Sequence, residues 1–223
     1  MPIVKAIITA GGTSRRFGNT NKLFEDLCGK PVIQHSADLF TKMGFEIIIT
    51  SHMDFMEDIK ILFAKYTNIK VVQGGETRQQ SVYKGLLEAN GAEYIIIHDG
   101  ARPLITEDTV KRCLEKAYET KAAIVAVKTT DTIKIVSENN EIISTPDRTK
   151  LINVQTPQIF DYKLILDAHK RNKDKSFTDD ACLFEAEGKK VYYVDGEYSN
   201  IKITNKIDIE YAKLLKNNIN KEV

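Results

Sequence analysis

Five short apolar runs with no polar alternation constrain this chain more than any other feature: 3–9, 46–51, 70–73, 94–98 and 122–127. A strand that is apolar at every position is buried on both faces, which happens when helices cover both sides of a parallel sheet. Helix-period segments stand between the runs. Pro31 opens one that carries Val32, Ile33, Leu39, Phe40 and Met43 and stops at Gly44; others span 54–66 and 81–90. Thr106, with Glu107 and Asp108 behind it, caps a further helix that runs to Thr120. The alternation predicts an α/β fold, Rossmann-like, with a mostly parallel sheet, and ligands at the carboxyl ends of its strands.

The pattern changes after Val127. Two β-rich pieces, 132–136 and 141–144, flank the polar turn Ser137-Glu138-Asn139-Asn140 and predict a hairpin that projects from the sheet. A hairpin alone is marginal in water, so this one is expected to pack against a second subunit. Helices are expected again over 162–170, over 179–187 behind an N-cap Thr178, and over 206–217. There is no internal repeat or low-complexity linker, so residues 1–223 are read as one domain with an arm at about 131–154.

Charge and cysteine content narrow the class. The chain has 32 basic against 31 acidic residues, a balance that suggests neither a nucleic-acid partner nor a membrane surface. Cys28, Cys113 and Cys182 fit neither a disulfide framework nor a zinc spacing, which suggests a reducing compartment. No apolar run approaches the roughly 20 residues that cross a bilayer, and a cytoplasmic protein is expected.

Four segments carry chemistry. In the first, the opening strand runs into Ala10-Gly11-Gly12-Thr13-Ser14-Arg15-Arg16-Phe17-Gly18-Asn19-Thr20-Asn21-Lys22. Its glycines let backbone N–H groups approach an anion, and Arg16 and Lys22 add full charges, which suits a polyphosphate. The spacing matches neither the P-loop nor the dinucleotide fingerprint. A surface turn with solvated basic residues is the plainer alternative. In the second, His98-Asp99-Gly100-Ala101-Arg102-Pro103, a strand delivers a carboxylate that either helps hold Mg²⁺ or caps the local turn. In the third, Gly74-Gly75 precedes Ser81, a turn able to read a base edge or simply to join strand and helix. In the fourth, Asn200-Ile201-Lys202-Ile203-Thr204, Lys202 alternates with apolar neighbours on a short strand and is either functional or a solvated edge lysine.

Together with Arg78, Asp131-Thr132-Ile133-Lys134, Asp147-Arg148, Gln155-Thr156-Pro157-Gln158 and Phe177-Thr178-Asp179-Asp180, these segments resemble one family in order and spacing along nearly the whole chain. It is the 2-C-methyl-D-erythritol 4-phosphate cytidylyltransferase family, within the nucleotidyltransferase superfamily of glycosyltransferase-A-like folds. The resemblance implies transfer of CMP from CTP to 2-C-methyl-D-erythritol 4-phosphate, releasing pyrophosphate, in isoprenoid precursor synthesis. Ribitol 5-phosphate is the alternative acceptor. It further implies that Arg16, Lys22 and Lys202 stabilise the transition state, that Ala10, Gly11, Gly12, Gly74, Gly75 and Ser81 hold the nucleotide, and that Asp99 positions Mg²⁺. Arg102, Thr132, Arg148 and Thr156 fall to the acceptor, with Arg148 acting across a homodimer interface.

Overall fold

Ile7 and Ile8 are adjacent and fully buried, yet they belong to different cores on opposite faces of the sheet. Ile96 and its neighbours Ile95 and Ile97 divide in the same way. This is why the strands read as unbroken apolar runs: successive side chains leave the backbone on opposite sides, and both sides are covered.

The computed structural model describes residues 2–11 and 21–219. In chain order the elements are β1 (Val4–Ala10), the two-residue strands β2 (Asp26–Leu27) and β3 (Lys30–Pro31), α1 (Val32–Lys42), β4 (Glu46–Ser51) and α2 (Met56–Leu62). Next come β5 (Ile69–Gln73), α3 (Arg78–Glu88), β6 (Tyr94–Asp99), α4 (Glu107–Thr120), β7 (Ala122–Lys128), β8 (Ile135–Val136) and β9 (Ile142–Ser144). The chain closes with β10 (Ile152–Asp161), α5 (Tyr162–Arg171), α6 (Asp180–Ala186), β11 (Tyr192–Asp195) and α7 (Lys206–Ile219). Among the described residues, seven strands form one sheet in the order β11-β7-β10-β6-β1-β4-β5. All neighbouring pairs are parallel except those of β10, which runs antiparallel to β6 and β7.

Helices cover both faces, as the apolar runs require. Side chains of α1, α2, α4 and α7 pack with Ile8, Ile49 and Ile96 on one face, and those of α3, α5 and α6 with Ile7, Ile48, Ile95 and Ile97 on the other. Truncating one of these central isoleucines to Ala is expected to cost about 2–5 kcal/mol. Local signals set the helix ends. The Thr106 hydroxyl accepts from Thr109 N at the start of α4, and Gly44 takes the left-handed conformation (φ +81°) just beyond α1.

Several expected boundaries are corrected. The helix expected from Ser81 begins at Arg78, because Thr77 is the N-cap and accepts from Gln80 N at 3.1 Å. The cap expected at Thr178 is Asp179, whose carboxylate accepts from Cys182 N at 2.8 Å. Residues 201–204 form no strand. The segment expected as one helix over 54–66 is a 3₁₀ turn, Met53–Phe55, followed by α2. β10 and β11 were not expected: the first contains Pro157, a residue that reads against a strand interior, and the second is only four residues long.

The hairpin is present but shorter than expected. β8 and β9 pair only with each other among the described residues, and Ile135, Val136, Ile142 and Ile143 on them are exposed.

Candidate active site

Strand register builds the site's floor. Thr9 stands beside Asp99, Ala10 beside Ser51, and Ser51 beside Gln73, so β1, β4, β5 and β6 end at one level. The turns that follow therefore crowd together along the carboxyl edge of the sheet.

Asp99 is the centre of this edge. It ends a strand that is buried throughout, and its side chain is only 9% exposed. An isolated buried charge is costly, so partners are required. Arg78 Nε lies 3.2 Å from Oδ1, Lys202 Nζ 2.7 Å from Oδ2, and Arg102 Nε 3.9 Å from Oδ2. Burial alone would raise the carboxyl pKa, but Arg78, Lys202 and Arg102 outweigh it and hold the group far below the usual carboxylate range. Asp99 is thus an anion at any working pH.

The three cations are held differently. The Arg102 guanidinium donates from Nη1 to Asn200 O at 2.7 Å, while its buried Nε has no hydrogen-bond acceptor. Arg78 bridges Asp99 and Asp180, with Nη1 2.7 Å from Asp180 Oδ2. Lys202 is the most exposed of the three, at 43% of its side chain against 28% and 12% for Arg78 and Arg102. Its backbone is pinned on both sides: Ile203 N donates to Ala101 O, and the Asn200 amide donates to Gln155 Oε1 and Thr156 O. Lys202 therefore lies on an irregular segment that two buried neighbours fix to the Asp99 turn. Lys22 approaches the same segment and donates from Nζ to Ile203 O at 2.7 Å.

The glycine loops meet on the other side of Thr9. Ser81 Oγ accepts from Gly75 N at 3.0 Å and donates to Thr77 O at 2.9 Å. A Cβ on Gly74 would lie 2.8 Å from Ser81 Oγ and 3.1 Å from Ser51 O, and one on Gly11 would lie 3.1 Å from the same hydroxyl. Glycine at 74 therefore lets its loop close on Ser81 and the Ser51 carbonyl, and glycine at 11 spares the hydroxyl a small displacement. Ala10, Gly11, Gly74, Gly75 and Ser81 are thus neighbours, although the Ser81 hydroxyl is engaged by its own turn. Gly12 and Arg16 lie outside the described residues.

Behind the carboxylate, Thr156 Oγ1 accepts from Asp99 N at 3.0 Å and sits 3.1 Å from His98 Nδ1. Thr156 is 4% exposed, so its hydroxyl braces Asp99 from within. His98 Nε2 lies 3.2 Å from Ser36 Oγ and 3.1 Å from Arg102 O, and its ring meets Phe40 edge-on. Burial pushes the His98 pKa down to about 4, with the Arg102 carbonyl opposing. It is a neutral structural histidine. Thr132 and Arg148 stand apart: both are exposed at the arm, where Arg148 donates to Thr130 O at 3.0 Å.

Two carriers of this geometry were not picked out as site residues. Arg78 and Asp180 were visible only as members of longer motifs, and nothing in the sequence shows that residues 102 positions apart form one ion pair. As for a metal, no group of three His, Cys, Asp or Glu side chains among the described residues could cage one. A single ionised carboxylate does suit a hard divalent cation that brings most of its oxygen ligands with a triphosphate.

Comparison with known proteins gives a consistent result. A family model described as IspD, 2-C-methyl-D-erythritol 4-phosphate cytidylyltransferase, matches residues 4–217. The 2-C-methyl-D-erythritol 4-phosphate cytidylyltransferase of Caldanaerobacter subterraneus subsp. tengcongensis is 41% identical over 221 residues, covering 95% of this chain and 97% of that protein. The protein of the same name from Clostridium botulinum is 39% identical over 224 residues, covering 96% and 100%. The crystal structure of 4-diphosphocytidyl-2C-methyl-D-erythritol synthase from Anaerococcus prevotii superposes with a TM-score of 0.87 at 34% identity, covering 97% of this chain and 99% of that one. That of the Thermus thermophilus cytidylyltransferase gives 0.81 at 28% identity, covering 97% and 100%.

Proposed function

The chain belongs to the 2-C-methyl-D-erythritol 4-phosphate cytidylyltransferase family, and from that membership we propose how the residues around Asp99 divide the work. The activity is transfer of CMP from CTP to 2-C-methyl-D-erythritol 4-phosphate, giving 4-diphosphocytidyl-2-C-methyl-D-erythritol and pyrophosphate, a step toward isoprenoids. The family match across residues 4–217 carries this conclusion. Ribitol 5-phosphate is not favoured as acceptor, since the relatives bear the methylerythritol name.

The nucleophile is a phosphate oxygen, already anionic near neutral pH, that attacks the α-phosphorus of CTP in line. No general base is needed, in keeping with a buried neutral His98. The protein has to supply alignment and positive charge. Lys22 and Lys202, with Arg16, supply that charge as pyrophosphate leaves. Lys202 is suited to trade its Asp99 contact for a nucleotide phosphate, because it is the most exposed of the carboxylate's cations. Asp99 would hold a divalent cation such as Mg²⁺ that arrives with the triphosphate and adds positive charge against it. The backbone of Ala10 to Gly12 and of Gly74-Gly75, braced by Ser81, would frame cytosine in a slot too small for a purine.

The acceptor half is assigned to the arm. An isolated hairpin with exposed Ile135, Val136, Ile142 and Ile143 suits burial against a second copy of the chain. In such a homodimer Arg148, which donates to Thr130 O, would reach with Thr132 the acceptor phosphate bound to the other subunit, for which a guanidinium fork is well shaped. Arg102 completes that side, and Thr156 contributes by holding Asp99. Among the described residues no helix is long and apolar enough to cross a membrane. We place the enzyme in the cytoplasm, a compartment that suits the free cysteines Cys28, Cys113 and Cys182.

The test is Mg²⁺-dependent pyrophosphate release from each of the four nucleoside triphosphates with methylerythritol phosphate and with ribitol phosphate. CTP with methylerythritol phosphate should be fastest. A faster rate with ribitol phosphate would move the acceptor, and no release from any pair would refute the activity.

A further inference from the structure

Arg78, the first residue of α3, stands between two buried carboxylates. Its Nε faces Asp99 Oδ1 at 3.2 Å and its Nη1 faces Asp180 Oδ2 at 2.7 Å. The Asp180 side chain is 2% exposed, and its other oxygen meets His169 Nε2 at 3.1 Å. That imidazole is itself buried and stacks on Tyr83. From β10, Gln158 Oε1 accepts from the backbone N–H groups of Asp180 and Ala181. A neighbouring clamp holds the next residue of α3, where Gln79 donates to Asn172 O and accepts from Phe177 N. The segment from 172 to 180 thus grips the first turn of α3, the helix that also carries Ser81.

The arrangement has an electrostatic consequence. A guanidinium presents donors on more than one edge and prefers to meet a carboxylate through two parallel bonds. Here Asp180 occupies one edge, so Arg78 meets Asp99 through Nε alone. The second Asp99 oxygen faces Lys202 at 2.7 Å, with Arg102 Nε farther off at 3.9 Å. Were the charge at Asp180 removed, the whole guanidinium would be free to turn onto Asp99 and compete for that oxygen.

We propose that Asp180 is a positioning residue for cytidylyl transfer, holding the Arg78 guanidinium so that one Asp99 oxygen stays paired with Lys202 until that lysine turns to the phosphates of the incoming nucleotide. This rests on the family activity and extends it to a buried residue that acts through Arg78.

The experiment compares the wild type with Asp180→Asn, Arg78→Gln and the double variant, measuring kcat and both KM values by pyrophosphate release from CTP with methylerythritol phosphate. Asp180→Asn is expected to lower kcat about tenfold or more while the KM for methylerythritol phosphate stays within about twofold, the pattern of a lost transition-state arrangement. The double variant should be no slower than Arg78→Gln, because Asp180 then has nothing to position. Losses that multiply in the double variant would overturn the proposal, as would an unchanged kcat in Asp180→Asn. A second measurement needs neither turnover nor a folded variant: in the wild type, the Arg78 Nε–H proton should exchange with solvent about tenfold or more slowly than that of exposed Arg171. Equal rates would overturn the proposal. Absence of wild-type turnover would refute the family activity instead, and proton exchange would still decide the positioning.

Discussion

Lys202 Nζ lies 2.7 Å from Asp99 Oδ2, and the two side chains differ sharply in exposure, at 43% and 9%. A buried anion and a half-exposed cation make an unequal pair: the carboxylate has Arg78 and Arg102 to fall back on, whereas the lysine is free to swing toward solvent. Replacing Lys202 with Ala is therefore expected to leave the fold intact and lower turnover by about 100-fold or more, the usual scale for removing a preorganised charge. Lys22→Ala should do the same. Pyrophosphate release by either variant within about tenfold of wild type would refute their role in stabilising the transition state.

Arg148 makes a different kind of prediction, because it stands on the arm and away from Asp99. If it serves the neighbouring subunit's acceptor site, mixed dimers of Arg148→Ala and Lys22→Ala chains contain one site with both residues intact. Such heterodimers should recover measurable activity that neither parent shows. Verified heterodimers with no recovery would refute action across an interface. Arg148→Lys should also be impaired, with a raised KM for methylerythritol phosphate, since an ammonium cannot give the two parallel bonds of a guanidinium.

Gly74 tests the proposal that the glycine loops hold the nucleotide. An added methyl would lie 2.8 Å from Ser81 Oγ and 3.1 Å from the backbone oxygen of Ser51, and only the first of these can move. Gly74→Ala is expected to raise the KM for CTP by about tenfold while changing that for the acceptor little, as a misplaced binding loop should. Adding Ser81→Gly should recover part of the loss. Equal effects on the two KM values would show that the loop does not belong to the nucleotide half.

Much of this site was legible because its parts lie at strand ends, and strand ends follow from apolar periodicity. Asp99 and the paired glycines fall where the runs stop, so their common edge followed once a parallel sheet was inferred. β10 was not legible: it enters between β6 and β7, is antiparallel to both, and carries polar Gln155, Thr156 and Gln158, which serve Asn200, Asp99 and α6 instead of a core. Lys202 was placed on a strand because its apolar neighbours alternate, but Ile203 is buried by docking on Ala101 and not by pairing in a sheet. The pairing of Arg78 with Asp180 depends on tertiary closure across 102 residues, which local pattern does not encode.

His98 supplies the last prediction, and it concerns pH. In the folded chain its pKa is about 4, lowered by burial from the ordinary 6.5. Between those values the unfolded chain takes up a proton that the folded chain refuses. Folding stability contributed by the neutral imidazole is therefore fully present above pH 6.5 and is lost progressively as pH falls toward 4. At about 1.4 kcal/mol for each pH unit, this amounts to roughly 3–4 kcal/mol across the window. Asp99 has its own folded pKa below the ordinary 3.8, so its contribution is kept through this window and is lost only at more acid pH. The window from 6.5 to 4 consequently isolates the histidine from its carboxylate neighbour. Replacing His98 with Gln, which keeps an amide able to bond Ser36, Thr156 or the Arg102 carbonyl, should lower stability at neutral pH but flatten its fall between pH 6.5 and 4. Denaturant midpoints measured across that range check this, and parallel slopes in the two proteins would mean that His98 is not the group responsible.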